Sequence, residues 1–311
     1  SKTEAEKWRA SDGDNVADQE LAERVYTSRL IGSDRDLLMH GGGNTSVKLQ
    51  RHNLFGEKQD VLHVKGSGWD LDTIQAAGLP GVWLDSLLKL RGLDALSDEN
   101  MVNYQRANLL DCASPNPSVE TLLHAFLPHR YVDHTHATPF LILANLPNAE
   151  AICYEIFGDR LGIVPYIMPG FSLAKKAAEV YENNPKVEGL LLLNHGHFAF
   201  DDTAEASYNL IVSHTNEVAD FLKMTKATSI GTRQTIKKRD VLPVLRGAIA
   251  DVHKEIGIQM PVLDVRNCAD VMSFFDRHDV EALQSSPLLP PVGCTFCPFR
   301  IWGTILGPIQ K

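Results

Sequence analysis

The chain has 311 residues, 44% of them hydrophobic and 22% charged, a balance that lets a globular protein bury its own core without disulfides. A formal charge of −9 argues against non-specific nucleic-acid binding, which needs a basic face. No run approaches the ~18 apolar residues of a membrane helix, and Ser1 to Glu20 is too polar for a signal sequence.

Residues 15–31 place apolar side chains at helical spacing and predict an amphipathic helix. His40-Gly41-Gly42-Gly43 ends it. Residues 45–49 and 60–65 read as strands, and Gly66-Ser67-Gly68 punctuates again. Helices are expected over 82–92 and 97–110, the second capped by Ser97. Pro115 and Pro117 bracket a loop. Ser118 then reads as the N-cap of a helix through Leu127, with Pro128 as its stop. Residues 131–136 predict a strand, and Thr138-Pro139 restarts a helix. Strands over 163–167 and 189–193 alternate with helices over 171–182, 202–226 and 239–256.

Strands and helices are interspersed, yet many connections are too short for parallel crossovers. An α/β fold follows, with a mixed, largely antiparallel sheet and helices on both faces. Residues 286–311 are rich in Pro, Gly and Cys and read as an irregular tail on a domain spanning 1–285. Five cysteines without regular spacing suit a reducing cytoplasm. Cys294 and Cys297 form one C-x-x-C, but a metal ribbon needs a second pair.

Asp133-His134-Thr135-His136 carries the chemistry. Side chains alternate along a strand, so His134 and His136 project to one side. A third imidazole and a carboxylate would complete a site for a first-row metal ion. Glu120 lies just upstream, and Asn194-His195-Gly196 follows an apolar strand. His197 competes with His195 as the third ligand, because alternation keeps both on one face of a strand. His124 and His129 read as satisfied histidines. Neutral imidazoles leave a divalent ion its full charge, so it acts as a strong Lewis acid, and a nearby carboxylate can move the proton next to a carbonyl. Gly41-Gly42-Gly43-Asn44, Gly66-Ser67-Gly68 and Ser118 are candidates for backbone and hydroxyl contacts to a phosphate. No Walker-type loop is present, which speaks against nucleoside triphosphates.

Gly43-Asn44-Thr45-Ser46, Lys65-Gly66-Ser67-Gly68, Pro117-Ser118-x-Glu120-x-x-x-His124, His134-x-His136 and Asn194-His195-Gly196 together resemble the class II aldolase/adducin family. Their order and spacing match over residues 20–225. The wording is closest to the aldolase half of bifunctional rhamnulose-1-phosphate aldolase/alcohol dehydrogenases. The resemblance implies a three-layer α/β/α fold and zinc-dependent cleavage of a ketose 1-phosphate to dihydroxyacetone phosphate and an aldehyde such as lactaldehyde. It implies zinc on His134, His136 and His195, with Glu120 as resting ligand and base. Asn44, Ser67, Gly68 and Ser118 would hold the phosphate, and Tyr154 of a neighbouring subunit would serve the aldehyde oxygen. A cytoplasmic homotetramer is the expected assembly. Other activities known on this scaffold are a pentose-phosphate 4-epimerase, a sugar-acid aldolase and a non-catalytic adducin-like interaction module. Val119 stands where the family often has a second hydroxyl residue. The chain ends at Lys311 with no G-x-x-x-G-x-G nucleotide loop, so no dehydrogenase activity is expected of it.

Overall fold

In the computed structural model, residues 2–10, 16–39, 41–224 and 238–255 are described. They fall in two units. The first, within residues 1–225, carries every element discussed below except the last helix. The second contributes Lys238–Glu255, a helix with Pro243 inside it, close to the predicted 239–256. The 286–311 tail and the Cys294/Cys297 pair lie outside the described residues. Among the described residues, no helix is long and apolar enough to cross a membrane.

The first unit is built on a seven-stranded sheet. Its strands are β1 (Asn44–His52), β2 (Lys58–Val64), β3 (Gly81–Trp83), β4 (Tyr131–Thr135), β5 (Leu161–Val164), β6 (Gly189–Leu192) and β7 (Gly196–Asp201). The order is β3-β2-β1-β4-β7-β6-β5, and every pair is antiparallel except β5 with β6. The mixed, largely antiparallel α/β expectation holds.

Helices cover both faces. On one side α3 (Leu84–Leu90), α4 (Asp98–Ala107), α5 (Thr121–Phe126) and α8 (Phe171–Asn183) bury a core with Leu62, Val132, Phe198 and Phe200 from the sheet. On the other, α2 (Val16–Ser33), α6 (Thr138–Ala144), α7 (Ala149–Phe157) and α9 (Ala204–Met224) pack on Val47, Tyr131, Leu191 and Ala199. A first helix, α1 (Lys2–Ala10), lies against α2, with Trp8 tilted on Tyr26.

Local boundaries differ from the sequence reading for physical reasons. Residues 81–83 pair with β2 as a three-residue edge strand, too short to show alternation, before α3 begins. The Ser118 helix starts only at Thr121, because the Ser118 Oγ accepts from the Glu120 N–H and its carbonyl from the Thr121 N–H. The end of α5 is tied down by Lys48 of β1. Its ammonium donates to the carbonyls of His124 (3.0 Å), Leu127 (2.7 Å) and His129 (2.6 Å), satisfying groups a short helix leaves orphaned.

His63 of β2 makes this sheet edge sensitive to acid. Its Nδ1–H donates to the Leu79 carbonyl (2.9 Å), while Arg51 Nε–H donates to its Nε2 (3.3 Å). A second proton on the ring would have to displace Arg51. Burial pushes its pKa down to about 4, against the pull of the Leu79 carbonyl. The unfolded chain then binds the extra proton more readily between about pH 6.5 and 4, so the stabilisation is complete above that window and is lost as pH falls through it. A shift of this size is worth about 3–4 kcal/mol in full, of which about 2–3 kcal/mol is lost between pH 7 and pH 4.5. Urea unfolding at pH 7 and pH 4.5 should show the parent losing that much more stability than His63→Gln. Equal losses would remove His63 from the account.

Candidate metal centre

β4 separates its side chains by alternation. Asp133 turns to the α2/α9 layer, where Arg24 lies 2.7 Å from its carboxylate and Ser207 donates to it at 2.6 Å. His134 turns to the opposite layer and stacks on Phe198, ring centroids 4.1 Å apart. His136 follows just past the strand end, and its Nε2 stands 2.9 Å from that of His134.

His195 arrives from the turn between β6 and β7. Asn194 there has φ 55°, a left-handed conformation that Asn tolerates better than most residues. Its N–H donates to the Ala144 carbonyl (3.0 Å) and its amide donates to Asn145 Oδ1 (2.7 Å), anchoring the turn to the end of α6. The ligating atoms of His134, His136 and His195 all lie within 4.8 Å of one another. Alternation does not relate His195 to His197, because the strand begins between them at Gly196. His197 points to the other face, stacked 4.0 Å from Phe140 with its Nε2 3.2 Å from His214 Nδ1. His195 is therefore the third member of the cluster.

Gly196 is what lets the turn come so close. A Cβ there would stand 2.7 Å from the Thr135 carbonyl and 2.9 Å from His136 Cδ2. Gly196→Ala should thus push the turn off the two histidines and weaken binding of a divalent ion by about 10- to 100-fold, the size seen when groups that orient ligands are disturbed. Competition titration against a chromophoric chelator measures it. Unchanged affinity would mean the cluster tolerates the displacement.

Glu120 completes the group from the residue preceding α5. It is buried, with Oε1 3.2 Å from His195 Nε2 and Oε2 3.5 Å from His134 Nε2. Asn44 Nδ2 donates to Oε2 at 2.7 Å. His134 Nδ1–H donates to the His197 carbonyl (3.0 Å), which leaves the Nε2 lone pair aimed into the cluster. Burial lowers the pKa of His134 to about 4 and that of His136 well below its usual value. Burial would raise the carboxyl of Glu120, but the neighbouring His134 and His195 prevail and hold it well below the carboxylate range. The three histidine rings thus face an ionised carboxylate whose Oε1 the Asn44 amide leaves untied. That donor set fits a divalent first-row ion.

The phosphate candidates also converge. The Ser67 N–H donates to the Asn116 carbonyl (2.7 Å) and the Ser118 N–H to the Lys65 carbonyl (3.0 Å), so the two segments run side by side. Ser67 and Gly68 are exposed, and Gly68 has φ 86°. Asn44 Nδ2 reaches Ser118 Oγ at 3.2 Å, joining this edge to Glu120. Sequence reasoning missed Lys65. Its buried ammonium donates to the carbonyls of Gly41 (3.0 Å), Gly42 (3.2 Å) and Gly43 (2.9 Å) and ties the glycine loop together. Tyr154 does not join the cluster: it lies on α7, 64% exposed.

Fold and pocket define a three-layer α/β/α protein with a buried three-histidine centre suited to one divalent ion. A family model described as "Class II Aldolase and Adducin N-terminal domain" matches residues 22–219, more than half of the chain, and the chain belongs to that family. "Uncharacterized oxidoreductase YuxG" of Bacillus subtilis (strain 168) is 36% identical over 300 residues, covering 93% of this chain and 42% of its own length. This chain therefore spans about two fifths of that relative. The N-terminal class II aldolase domain of a conserved protein from Thermoplasma acidophilum is 38% identical with a TM-score of 0.63, covering 68% of this chain and 97% of its own. A sugar-phosphate aldolase from Thermotoga maritima shares the fold, at 14% identity and TM-score 0.50, covering 68% of this chain and 98% of its own.

Proposed function

We propose that the chain is a zinc-dependent aldolase that cleaves a ketose 1-phosphate of the rhamnulose-1-phosphate type into dihydroxyacetone phosphate and a short aldehyde such as lactaldehyde. The observation that carries this reading is the convergence of His134, His136, His195 and Glu120 beside an edge formed by Asn44, Ser67, Gly68 and Ser118. The bound ion would supply Lewis acidity toward the carbonyl and hydroxyl oxygens of the substrate. His134, His136 and His195 would hold it. Glu120, freed when substrate arrives, exchanges the proton on the carbon beside the carbonyl, taking it in condensation and returning it in cleavage. The carbon–carbon electron pair goes to that same carbon as the hydroxyl on the aldehyde side gives up its proton. The exposed Tyr154 is where a neighbouring subunit of a homotetramer would receive that proton. Asn44, Ser67, Gly68 and Ser118 offer amide, hydroxyl and backbone N–H groups to the phosphate.

The test begins with elemental analysis of untagged chain dialysed against excess zinc, where about one zinc per chain is expected. A panel of ketose 1-phosphates is then assayed for dihydroxyacetone phosphate and trapped aldehyde. Interconversion of 4-epimers without trappable aldehyde would point to an epimerase, and release of a keto acid to a sugar-acid aldolase. Failure to retain metal would end the metalloenzyme reading. Nicotinamide-dependent turnover by this chain alone would contradict its assignment as an aldolase half.

A further inference from the structure

One histidine of the pocket is not a ligand. His124 of α5 is fully buried, its ring edge-on to Phe198 at a centroid distance of 5.5 Å. Its Nε2 is hydrogen-bonded to Asn44 Oδ1, and its Nδ1 stands 2.8 Å from Ser46 Oγ. The same Asn44 amide reaches Glu120 Oε2 and Ser118 Oγ from its other end.

The direction of every bond in this chain follows from one fixed point. A carboxylate only accepts, so the Asn44 NH2 must face Glu120. Asn44 Oδ1 then faces His124, and His124 Nε2 must carry the proton. Burial drives His124 to about 3, so its ring is neutral and has one proton only. Nδ1 is therefore an acceptor, and the Ser46 hydroxyl donates to it. Side-chain amides otherwise have two near-equivalent orientations, and nothing but their partners selects one.

We infer that His124 is a positioning residue: its Nε2–H, bonded to Asn44 Oδ1, anchors the far end of the Asn44 amide so that the NH2 ties down Glu120 Oε2 and leaves Oε1 as the oxygen that exchanges the substrate proton. The inference about turnover rests on the aldolase reading; the tautomer and the amide orientation do not. Oε1 faces His195 Nε2 at 3.2 Å and is not engaged by the Asn44 amide, which holds Oε2 instead. Without His124 the Asn44 Oδ1 loses its buried donor, and the amide is free to swing away from Glu120 Oε2.

Two measurements on the full, zinc-supplemented chain test this. In chain labelled with nitrogen-15 at histidine, the His124 ring, identified by its loss in His124→Phe, should show protonated Nε2 and unprotonated Nδ1. The opposite tautomer would overturn the inference, because Asn44 would then have to present its carbonyl to Glu120. Second, His124→Phe keeps an aromatic ring against Phe198 and should lower kcat for ketose 1-phosphate cleavage about 10- to 100-fold, the value of one hydrogen bond to a charged group, with KM within about twofold. The same substitution should cost nothing further in an Asn44→Ala background, since residues acting through one another are non-additive. Equal fold losses in both backgrounds would mean that His124 acts by packing alone and would overturn its role. Should His124→Phe fail to fold, Ser46→Ala takes its place in the cycle, because it frees the same ring. If the parent chain cleaves no ketose phosphate, the aldolase reading fails while the tautomer result still decides the positioning claim.

Discussion

Arg24→Met should destabilise the chain by about 3–5 kcal/mol, because it strands a carboxylate in the core. Arg24 and Asp133 are both wholly buried and 2.7 Å apart, with Ser207 donating to the second carboxylate oxygen. Burial already raises the pKa of Asp133 above its ordinary value despite the Arg24 charge. Without that charge the carboxyl can only persist protonated. A raised folded pKa means that stability is lost as pH increases, so the deficit of the variant should be larger at pH 8 than at pH 5. The consequence reaches the pocket, since Asp133 and His134 are adjacent on a five-residue strand. Arg24→Met/Asp133→Leu should recover much of the loss, as apolar replacement of both buried partners often does. Urea midpoints at the two pH values measure all of this with zinc chelated. A single-variant loss below about 1 kcal/mol, the scale of an exposed pair, would show that water reaches the site.

The histidine pair was legible because β4 obeys strict alternation: one strand rule sends His134 to the pocket and Asp133 to the opposite core. The third ligand was not, because a rule about strands says nothing of a turn. Only the left-handed Asn194 decides between His195 and His197. An Asn-His-Gly sequence after an apolar strand hints at such a turn, but the register that turns His197 toward Phe140 comes from pairing with β4. Glu120 was found by its place in the chain. Its aim depends on where α5 starts, two residues later than the capping pattern at Ser118 suggests. The strand β7 and the helices α1 and α7 escaped the sequence reading. β7 is buried on both faces and shows no polar alternation, and α7 lies in a stretch whose boundaries carry no capping side-chain bond. Lys65 and His124 stand inside the motifs quoted above, but the sequence does not show which groups their side chains bond. Their roles exist only once the glycine loop and Asn44 are folded against them.

On the proposed aldolase reading, Glu120→Gln should lower kcat for ketose 1-phosphate cleavage by about 10²- to 10⁴-fold, the range for a lost general base. Glutamine fills the same space and still faces Asn44, but it cannot take up a proton at neutral pH. The separation of roles in the pocket makes the outcome specific. His134, His136 and His195 keep their mutual geometry without Glu120, because His134 is oriented by the His197 carbonyl and His195 by the Asn194 turn. The variant should therefore still bind zinc, more weakly for want of the resting carboxylate, and its deficit in kcat should persist at saturating zinc. His134→Ala should behave differently. It removes the central imidazole, the one within 2.9 Å of His136 and 3.5 Å of Glu120, and zinc should be lost on dialysis together with activity. Metal content and turnover measured side by side on the two variants distinguish a proton carrier from a ligand. If Glu120→Gln keeps both its zinc and a kcat within about threefold of the parent, a difference well under 1 kcal/mol in barrier, the proton is moved by another group.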